Sequence, residues 1–272
     1  MALDKPLFVG DREAVKKARM RFASDSMRDG MCDWLADLAA LDARDACVSP
    51  AAARDVRTTV RQLRDALRHT GLVEPSKNAT SPMVLKALVC AGLMPNIVRV
   101  RMPRPKYTEM IGGTVSKDHE AREVAFYAPT LSSSSTWKAY DFSKDRRVFV
   151  HPQSTLFAAT KYRASPFVVY FAQSASDNSR TYLRDATVPG LYALLMFGPP
   201  PLTVDHEHRV VGIGASGALS VRAWPRIAVL ATSLRALLDE LLRRKLDTPG
   251  DIVLAQHPVV QTVLQLIETD GQ

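Results

Sequence analysis

Two short motifs in the sequence could carry chemistry, and neither indicates a catalytic centre. Residues 212–217 spell G-x-G-x-x-G, but a dinucleotide-binding loop of this pattern needs a helix directly after it. Residues 218–224 alternate as a strand does, so the glycines predict a hairpin. Residues 205–208, Asp-His-Glu-His, fit a polar strand edge or loop, and a metal role for the two histidines is disfavoured because third and fourth ligands are not evident.

Two further catalytic motifs are absent from the sequence. No G-x-x-x-x-G-K-[ST] loop occurs, so the backbone and lysine contacts that ATP phosphates need are missing. No G-x-S-x-G elbow supports a nucleophile. Cys32, Cys47 and Cys90 have no C-x-x-C spacing, which predicts a reducing compartment without a disulfide framework or zinc site. We expect no catalytic residue, no metal and no cofactor in this chain.

The composition favours a folded protein with an acidic or anionic partner. Lys and Arg total 36 against 28 Asp and Glu, for a formal net charge of +8 and a pI near 9.5. The 272 residues, 46% of them hydrophobic, can bury a full core in one or two domains. No apolar run reaches the roughly twenty residues of a bilayer span. We expect an intracellular protein without a membrane partner; nucleus, cytoplasm and mitochondrion are not distinguished, and the abrupt start indicates a piece of a longer polypeptide.

The elements that position the basic and aromatic residues change period along the chain. Apolar residues at helical spacing predict helices over residues 12–22, 26–41, 50–71 and 84–90. Period-two alternation or dense apolar runs predict strands over residues 97–102, 124–129, 146–150, 166–172 and 181–187. Helical spacing returns over residues 225–245 and 252–267. Three segments connect these elements: a loop or irregular hairpin after residue 102, a polar loop at residues 131–136, and residues 191–197, which fit either a strand or a helix.

This order predicts an α+β fold with an N-terminal helical bundle, an OB-fold-like small β-barrel and C-terminal helices. About five short strands with long connecting loops are typical of an OB-fold. We place the bundle at residues 1–75, the OB-fold domain at 76–224 with a long insertion around 107–136, and the helical extension at 225–272. A hairpin of residues 203–211 and 218–224 would close the second domain.

Three segments resemble the C-terminal region of DEAH/RHA-type ATP-dependent RNA helicases. These are KALVCAGLMPNIVRV, RVFVHPQSTLF and FVVYFAQSASDNSRTYLRDATVPG, which occur in the family's order and at similar separations. Weaker similarity extends over most of residues 1–246. The chain departs from the family pattern in three places: its SDH-like motif lacks the histidine, the Cys47 segment lacks a preceding aromatic, and residues 107–136 have no obvious counterpart.

The resemblance implies the end of the helicase-associated region followed by an OB-fold that binds single-stranded RNA. The parent polypeptide would contain RecA-like motor domains that bind ATP and Mg. The chain would support 3′-to-5′ unwinding by this parent. A basic groove tracks phosphates while polar or aromatic groups contact splayed bases. On this basis the predicted RNA-binding residues are Arg99, Arg101, Arg104, Lys106, Arg146, Arg147, His151, Lys161, Ser176, Asn178, Arg180, Tyr182 and Arg184.

Two alternatives remain open from the sequence. The OB-fold and its insertion could form a docking platform that recruits a helicase cofactor or another regulatory protein, with residues 247–272 as part of its surface. His151, which precedes a proline at a strand end, could serve only to hydrogen-bond the backbone.

Overall fold

A computed structural model of the chain describes residues 7–26, 31–43, 47–72, 81–103, 107–110, 113–116, 124–132, 139–157, 159, 162, 165–176, 180–214 and 219–270. The helices are α1 (Arg12–Ser26), α2 (Asp33–Ala43), α3 (Pro50–His69), α4 (Pro82–Leu93), α5 (Leu191–Phe197), α6 (Pro225–Asp247) and α7 (Pro258–Thr269). The strands are β1 (Ile97–Arg101), β2 (Tyr107–Met110), β3 (Gly113–Ser116), β4 (Ala125–Ser132), β5 (Ala139–Val150), β6 (Phe167–Ala175), β7 (Thr181–Thr187), β8 (Leu202–Asp205), β9 (Val210–Ile213) and β10 (Leu219–Arg222). No helix in the described part is long and apolar enough to cross a membrane.

Five strands close into a barrel in the order β1-β4-β5-β7-β6. Neighbours are antiparallel except β5 and β7, which run parallel. The interior is filled by side chains that alternate with outward-facing residues, and Val98, Val148, Val168 and Leu183 are fully buried there. This small closed barrel, with helices before and after it, confirms the predicted α+β class and OB-fold.

A second core lies on the outside of the barrel. Ile97, Phe167 and Val169 face away from the barrel interior and pack with helices α4, α5, α6 and α7 and with the three-stranded sheet β10-β9-β8. Strands β1 and β6 are therefore covered on both faces over part of their length. Burial on both faces explains why β6 begins with an unbroken apolar run instead of an alternating pattern.

The N-terminal helices have their own core and are also fixed to the barrel. Asp33, at the start of α2, is fully buried. Its Oδ1 accepts hydrogen bonds from the Thr155 backbone N–H at 2.7 Å and from Thr155 Oγ1 at 2.9 Å, while its Oδ2 accepts one from the Ala186 N–H at 2.8 Å. One carboxylate thus joins α2 to β7 and to the segment after β5.

A second polar contact reinforces this junction. The Arg19 guanidinium of α1 donates two hydrogen bonds to Asp37 of α2, both at 2.9 Å, and a third to Asp185 of β7 at 3.1 Å. The Arg19 side chain is 13% exposed, so these contacts are largely shielded from water. The two helices and the barrel are held together by charged contacts, of which that of Asp33 is fully buried and those of Arg19 are partly buried.

Several element bounds differ from the sequence prediction. Helix α2 begins at Asp33 instead of residue 26, because Cys32 pairs as an isolated β-bridge with Thr187 and is extended. Strand β4 extends to Ser132 and so includes the first two residues of the polar loop predicted at 131–136, and the rest of that loop lies outside the described residues. Strand β5 begins at Ala139 instead of residue 146. Residues 203–211, predicted as one strand, are divided between β8 and β9 by a turn that contains Arg209 at φ 53.

The structure also defines three other segments that connect the predicted elements. Residues 191–197 form helix α5. The segment after residue 102, expected to be a loop or irregular hairpin, contains the antiparallel pair β2 and β3. Strand β10 follows the glycine-rich segment, and it pairs with β9, so the hairpin prediction is confirmed and the dinucleotide motif is not.

Candidate nucleic-acid interface

The outer surface of β4, β5 and β7 carries aromatic and basic side chains next to one another. On β5, Val148 and Val150 are buried in the barrel, so Arg147 and Phe149 face outward. Strand pairing sets Arg147 opposite Tyr127 of β4 and Phe149 opposite Tyr182 of β7. We call the surface formed by Tyr127, Arg147, Phe149, Arg180 and Tyr182 the aromatic face.

Two arginines lie over the rings of this aromatic face. The guanidinium carbon of Arg147 is 5.3 Å from the ring centroid of Phe149 and 5.8 Å from that of Tyr127. That of Arg180 is also 5.3 Å from the Phe149 centroid. The rings of Phe149 and Tyr182 have centroids 6.0 Å apart. Cation–π contacts of this kind hold guanidinium planes beside aromatic surfaces, and both kinds of surface can stack with a nucleobase.

The loop between β6 and β7 brings Arg180 to the aromatic face. The Ser176 N–H donates a 2.8 Å hydrogen bond to the Arg180 carbonyl, which closes the loop at its base. Ser176 and Arg180 are both exposed. Arg184, also exposed, follows Tyr182 by two residues on β7, and its Nε donates to Ser174 Oγ at 3.3 Å.

Strand β1 continues the basic surface on the other side of β4. Arg99 is half-buried and pairs with Tyr127, whereas Arg101 at the strand end is exposed. The backbone register therefore places Arg99, Tyr127 and Arg147 in one row across β1, β4 and β5. A negatively charged strand crossing this row would meet cations on both sides of a tyrosine.

His151 supports the end of β5. Its Nδ1 accepts a 3.3 Å hydrogen bond from the Gln153 N–H, and its ring meets the Tyr182 ring edge-on with centroids 6.2 Å apart. Because Nδ1 is an acceptor, the neutral ring carries its proton on Nε2. These contacts favour the structural interpretation of His151 over a direct RNA contact.

The sequence grouped Arg146 with Arg147, and the structure separates them. Arg146 donates to Gln173 Oε1 at 2.9 Å and lines a cleft at one end of the barrel. Adjacent residues of a strand point to opposite faces, so two neighbouring arginines serve two surfaces. Four other predicted residues, Arg104, Lys106, Lys161 and Asn178, lie outside the described part of the chain.

Sequence reasoning missed Tyr127 and Phe149, the aromatic residues at the centre of the face. The alternation of residues 146–150 could have indicated that Phe149 points outward. Tyr127 had a weaker signal, because its position opposite Arg147 depends on the register between two strands that the sequence does not display.

The histidine-rich motif has a local role. Residues 206–209 form the turn between β8 and β9, and His208 contacts Asp205 through both its backbone N–H, at 2.9 Å, and its ring Nδ1, at 2.8 Å. Both side chains are largely exposed. Of the two forms predicted for this motif, a polar strand edge or a loop, the structure shows Asp205 at the end of β8 and the next residues in the turn.

Comparisons with known proteins agree with this architecture. Residues 85–201 match the family model of the oligonucleotide/oligosaccharide-binding (OB)-fold, and residues 215–269 match that of the C-terminal domain in RNA helicases. A putative DEAH-box ATP-dependent helicase of Mycosarcoma maydis is 32% identical over 98% of this chain and 19% of its own length. The DExH-box ATP-dependent RNA helicase DExH1 of Arabidopsis thaliana is 27% identical over 95% of this chain and 24% of its own length.

A third relative, the putative ATP-dependent RNA helicase ucp12 of Schizosaccharomyces pombe, is 26% identical over 69% of this chain and 13% of its own length. The chain therefore spans less than a quarter of the length of each of these proteins. The matches confirm the resemblance stated from the sequence, while the RNA-binding residues and the domain bounds remain predictions.

Proposed function

We propose that this chain, which belongs to the C-terminal regions of DEAH/DExH-type RNA helicases, binds single-stranded RNA across the aromatic face. The observation that carries the proposal is the pair of arginines, Arg147 and Arg180, each 5.3 Å from the ring of Phe149 on the outside of the barrel. Such a surface offers charge to phosphates and flat groups to bases in the same few ångströms.

The position of the aromatic face on the barrel supports the same function. In chain order β4 and β5 are the second and third barrel strands, and OB-folds bind oligonucleotides on the face of these strands, between the loops after the first and fourth strands. The loop after the fourth barrel strand is the one that carries Arg180. The bases of an RNA bound here would stack on the aromatic rings, and such stacking tolerates any sequence.

We infer that the ATP-dependent steps of unwinding are carried out by other domains of a longer polypeptide. RecA-like motor domains there would bind ATP with Mg and hydrolyse it, and this chain would hold the RNA strand during 3′-to-5′ movement. In this proposal the contribution of the described residues is the surface that holds the RNA strand. Purified chain without ATPase activity but with RNA affinity would agree with this division of labour.

Protein docking is the second candidate, because the connection between β1 and β4 contains its own hairpin, β2 and β3. A barrel does not need this hairpin for closure. Residues 125–132 of the predicted 107–136 insertion belong to barrel strand β4, so the insertion would be the part before β4. Recruitment of a helicase cofactor through the OB-fold and this part would be favoured if the chain bound no RNA at low salt while retaining a protein partner.

Charge removal on the aromatic face is expected to weaken RNA binding and its dependence on salt. Arg147→Gln and Arg180→Gln should each reduce the affinity for a labelled oligouridylate about five- to tenfold at low salt, which corresponds to the roughly 1 kcal/mol of a typical hydrogen bond. Each variant should also make the negative slope of log affinity against log salt shallower by about 0.7, the value per phosphate contact on a single strand. Fluorescence anisotropy over a salt series measures both quantities.

Arg244→Gln is the matched control, because Arg244 is an exposed arginine in the last turn of α6, outside the barrel. It removes the same charge from the chain and should leave the affinity within about twofold, since exposed charges more than a Debye length of roughly 10 Å apart are largely screened. Equal losses in all three variants would show a general charge effect and would contradict the proposed face.

A further inference from the structure

A cleft opens at one end of the barrel, beside the aromatic face. It has a volume of about 390 Å³ and is lined by Pro95, Asn96, Ile97, Ala128, Pro129, Arg146, Tyr170 and Gln173. The ladder between β1 and β4 ends at the pair Arg99 and Tyr127, two residues before Pro129, which has no N–H to continue it. The pairing of β4 with β5 also shifts between Ala128 and Thr130. The proline and the bulge together part the strands and leave the cleft.

A short hydrogen-bonded series runs along one wall of this cleft. Arg146 donates to Gln173 Oε1 at 2.9 Å, and Gln173 Nε2 donates to the Tyr170 hydroxyl oxygen. The Gln173 amide is thereby oriented from both ends. Since the Tyr170 oxygen accepts, its own O–H can donate into the cleft. Burial raises the pKa of Tyr170, so the phenol keeps that proton at neutral pH.

Within the described part of the chain, the cleft offers more hydrogen-bond donors than its neighbours there accept from. Among the described residues, the bond to Gln173 is the one hydrogen bond that the Arg146 side chain makes, and a guanidinium carries five N–H donors. Asn96 donates through Nδ2 to the Phe171 carbonyl at 3.4 Å, which leaves its side-chain oxygen as an acceptor. The lining contains no carboxylate among the described residues, and its apolar part consists of Pro95, Ile97 and Pro129.

This lining fits an anionic group attached to a flat, partly polar ring. A guanidinium suits a phosphate, a phenol and an amide suit the polar edge of a base, and proline rings suit its faces. The volume also lies in the range of about 300–1,000 Å³ found for sites of small ligands. The cleft begins one residue beyond the Tyr127–Arg147 pair, at Ala128 and Arg146, which are themselves paired.

We propose that this cleft binds one nucleotide, with its phosphate on Arg146 and its base between Tyr170 and the proline walls. An RNA strand and a free mononucleotide share this chemistry. The RNA source rests on the proposed function, because a strand held on the aromatic face could place a nucleotide over the barrel end; binding of a mononucleotide does not rest on it.

The first measurement is RNA affinity in variants of the cleft. Arg146→Gln should weaken binding of a labelled oligouridylate of about ten nucleotides, within the site size of about 4–16 nucleotides for one OB-fold, by roughly five- to tenfold and lower the salt slope by about 0.7. Tyr170→Phe removes one hydroxyl and should weaken binding about threefold, the lower range for one hydrogen bond, with the salt slope unchanged. A structural effect alone would not divide the salt slopes in this way.

The second measurement is a titration of the ¹⁵N-labelled wild type and Arg146→Gln with adenosine or uridine monophosphate, in which the shifts of the backbone amide NMR signals are recorded. Shifts at Asn96, Tyr170 and Gln173 that disappear in Arg146→Gln support the nucleotide site. If they occur while the RNA affinity of both cleft variants stays at the wild-type value, the ligand is a free mononucleotide. If Arg147→Gln weakens RNA binding and neither cleft measurement changes, the nucleotide site is overturned and the proposed function stands.

If the wild-type chain binds no RNA, the proposed function is overturned but the cleft proposal is not, because the mononucleotide titration still tests the cleft. Absence of shifts in wild type together with unaltered RNA affinity in both cleft variants overturns the cleft proposal whatever the result for the aromatic face. Arg244→Gln again serves as the charge control, and its shifts should match those of wild type.

Discussion

Replacement of Asp33 by alanine is expected to lower the free energy of unfolding by about 3–5 kcal/mol, because it leaves three buried donors without an acceptor at a cost of about 1–3 kcal/mol each, partly offset by removal of a buried carboxylate. The Asp33 side chain is fully buried and accepts three hydrogen bonds at 2.7–2.9 Å. Its loss leaves the Thr155 N–H, the Thr155 hydroxyl and the Ala186 N–H without that acceptor inside the protein, and each buried unsatisfied donor costs free energy. Urea unfolding should show a lower midpoint with an unchanged m value.

The variants around Asp33 separate the carboxylate from helix propensity. Asp42→Ala changes an exposed aspartate on the same helix and should alter stability by no more than about 0.5 kcal/mol. Thr155→Val removes only the hydroxyl partner and should cost less than Asp33→Ala, about 1 kcal/mol. If Asp33→Ala were as stable as Asp42→Ala, the proposed role of Asp33 in joining α2 to the barrel would be wrong.

The Asp33 contact also shows where sequence reasoning stops. Local patterns locate α2, since its apolar residues recur at helical spacing, but an aspartate at a helix start is ordinary there. Its partners, Thr155 and Ala186, are 122 and 153 residues away in the chain. A buried carboxylate is recognisable only when the donors that surround it are known, and two of the three donors to Asp33 are backbone N–H groups, which nearly every residue has.

The sequence predicted the barrel more completely than the proposed binding surface. The change from helical to alternating spacing near residue 97 marks the start of β1, and the apolar run at residues 166–172 marks β6, because burial imposes a period on each element separately. The surface depends instead on which strands are neighbours. Phe149 meets Arg180 across a parallel pair of strands, β5 and β7, that are separated in the chain by β6.

The aromatic ring at the centre of the face is expected to contribute more to RNA affinity than any single charge. Phe149→Ala should weaken binding of single-stranded RNA by about 1–3 kcal/mol, or roughly 5- to 150-fold, the effect of removing one stacking platform. The salt slope should stay at the wild-type value, because no phosphate contact is removed. Anisotropy titrations at several salt concentrations test both expectations.

Two further variants decide whether stacking is the reason. Phe149→Leu keeps an apolar side chain but has no aromatic face, so it should bind RNA nearly as weakly as Phe149→Ala. Phe157→Ala removes another phenylalanine, 49% exposed, whose ring lies 5.6 Å from Lys16 Nζ of α1, and it should bind like wild type. Wild-type affinity in Phe149→Leu would mean that an apolar side chain is sufficient at this position, and that the bases are contacted elsewhere.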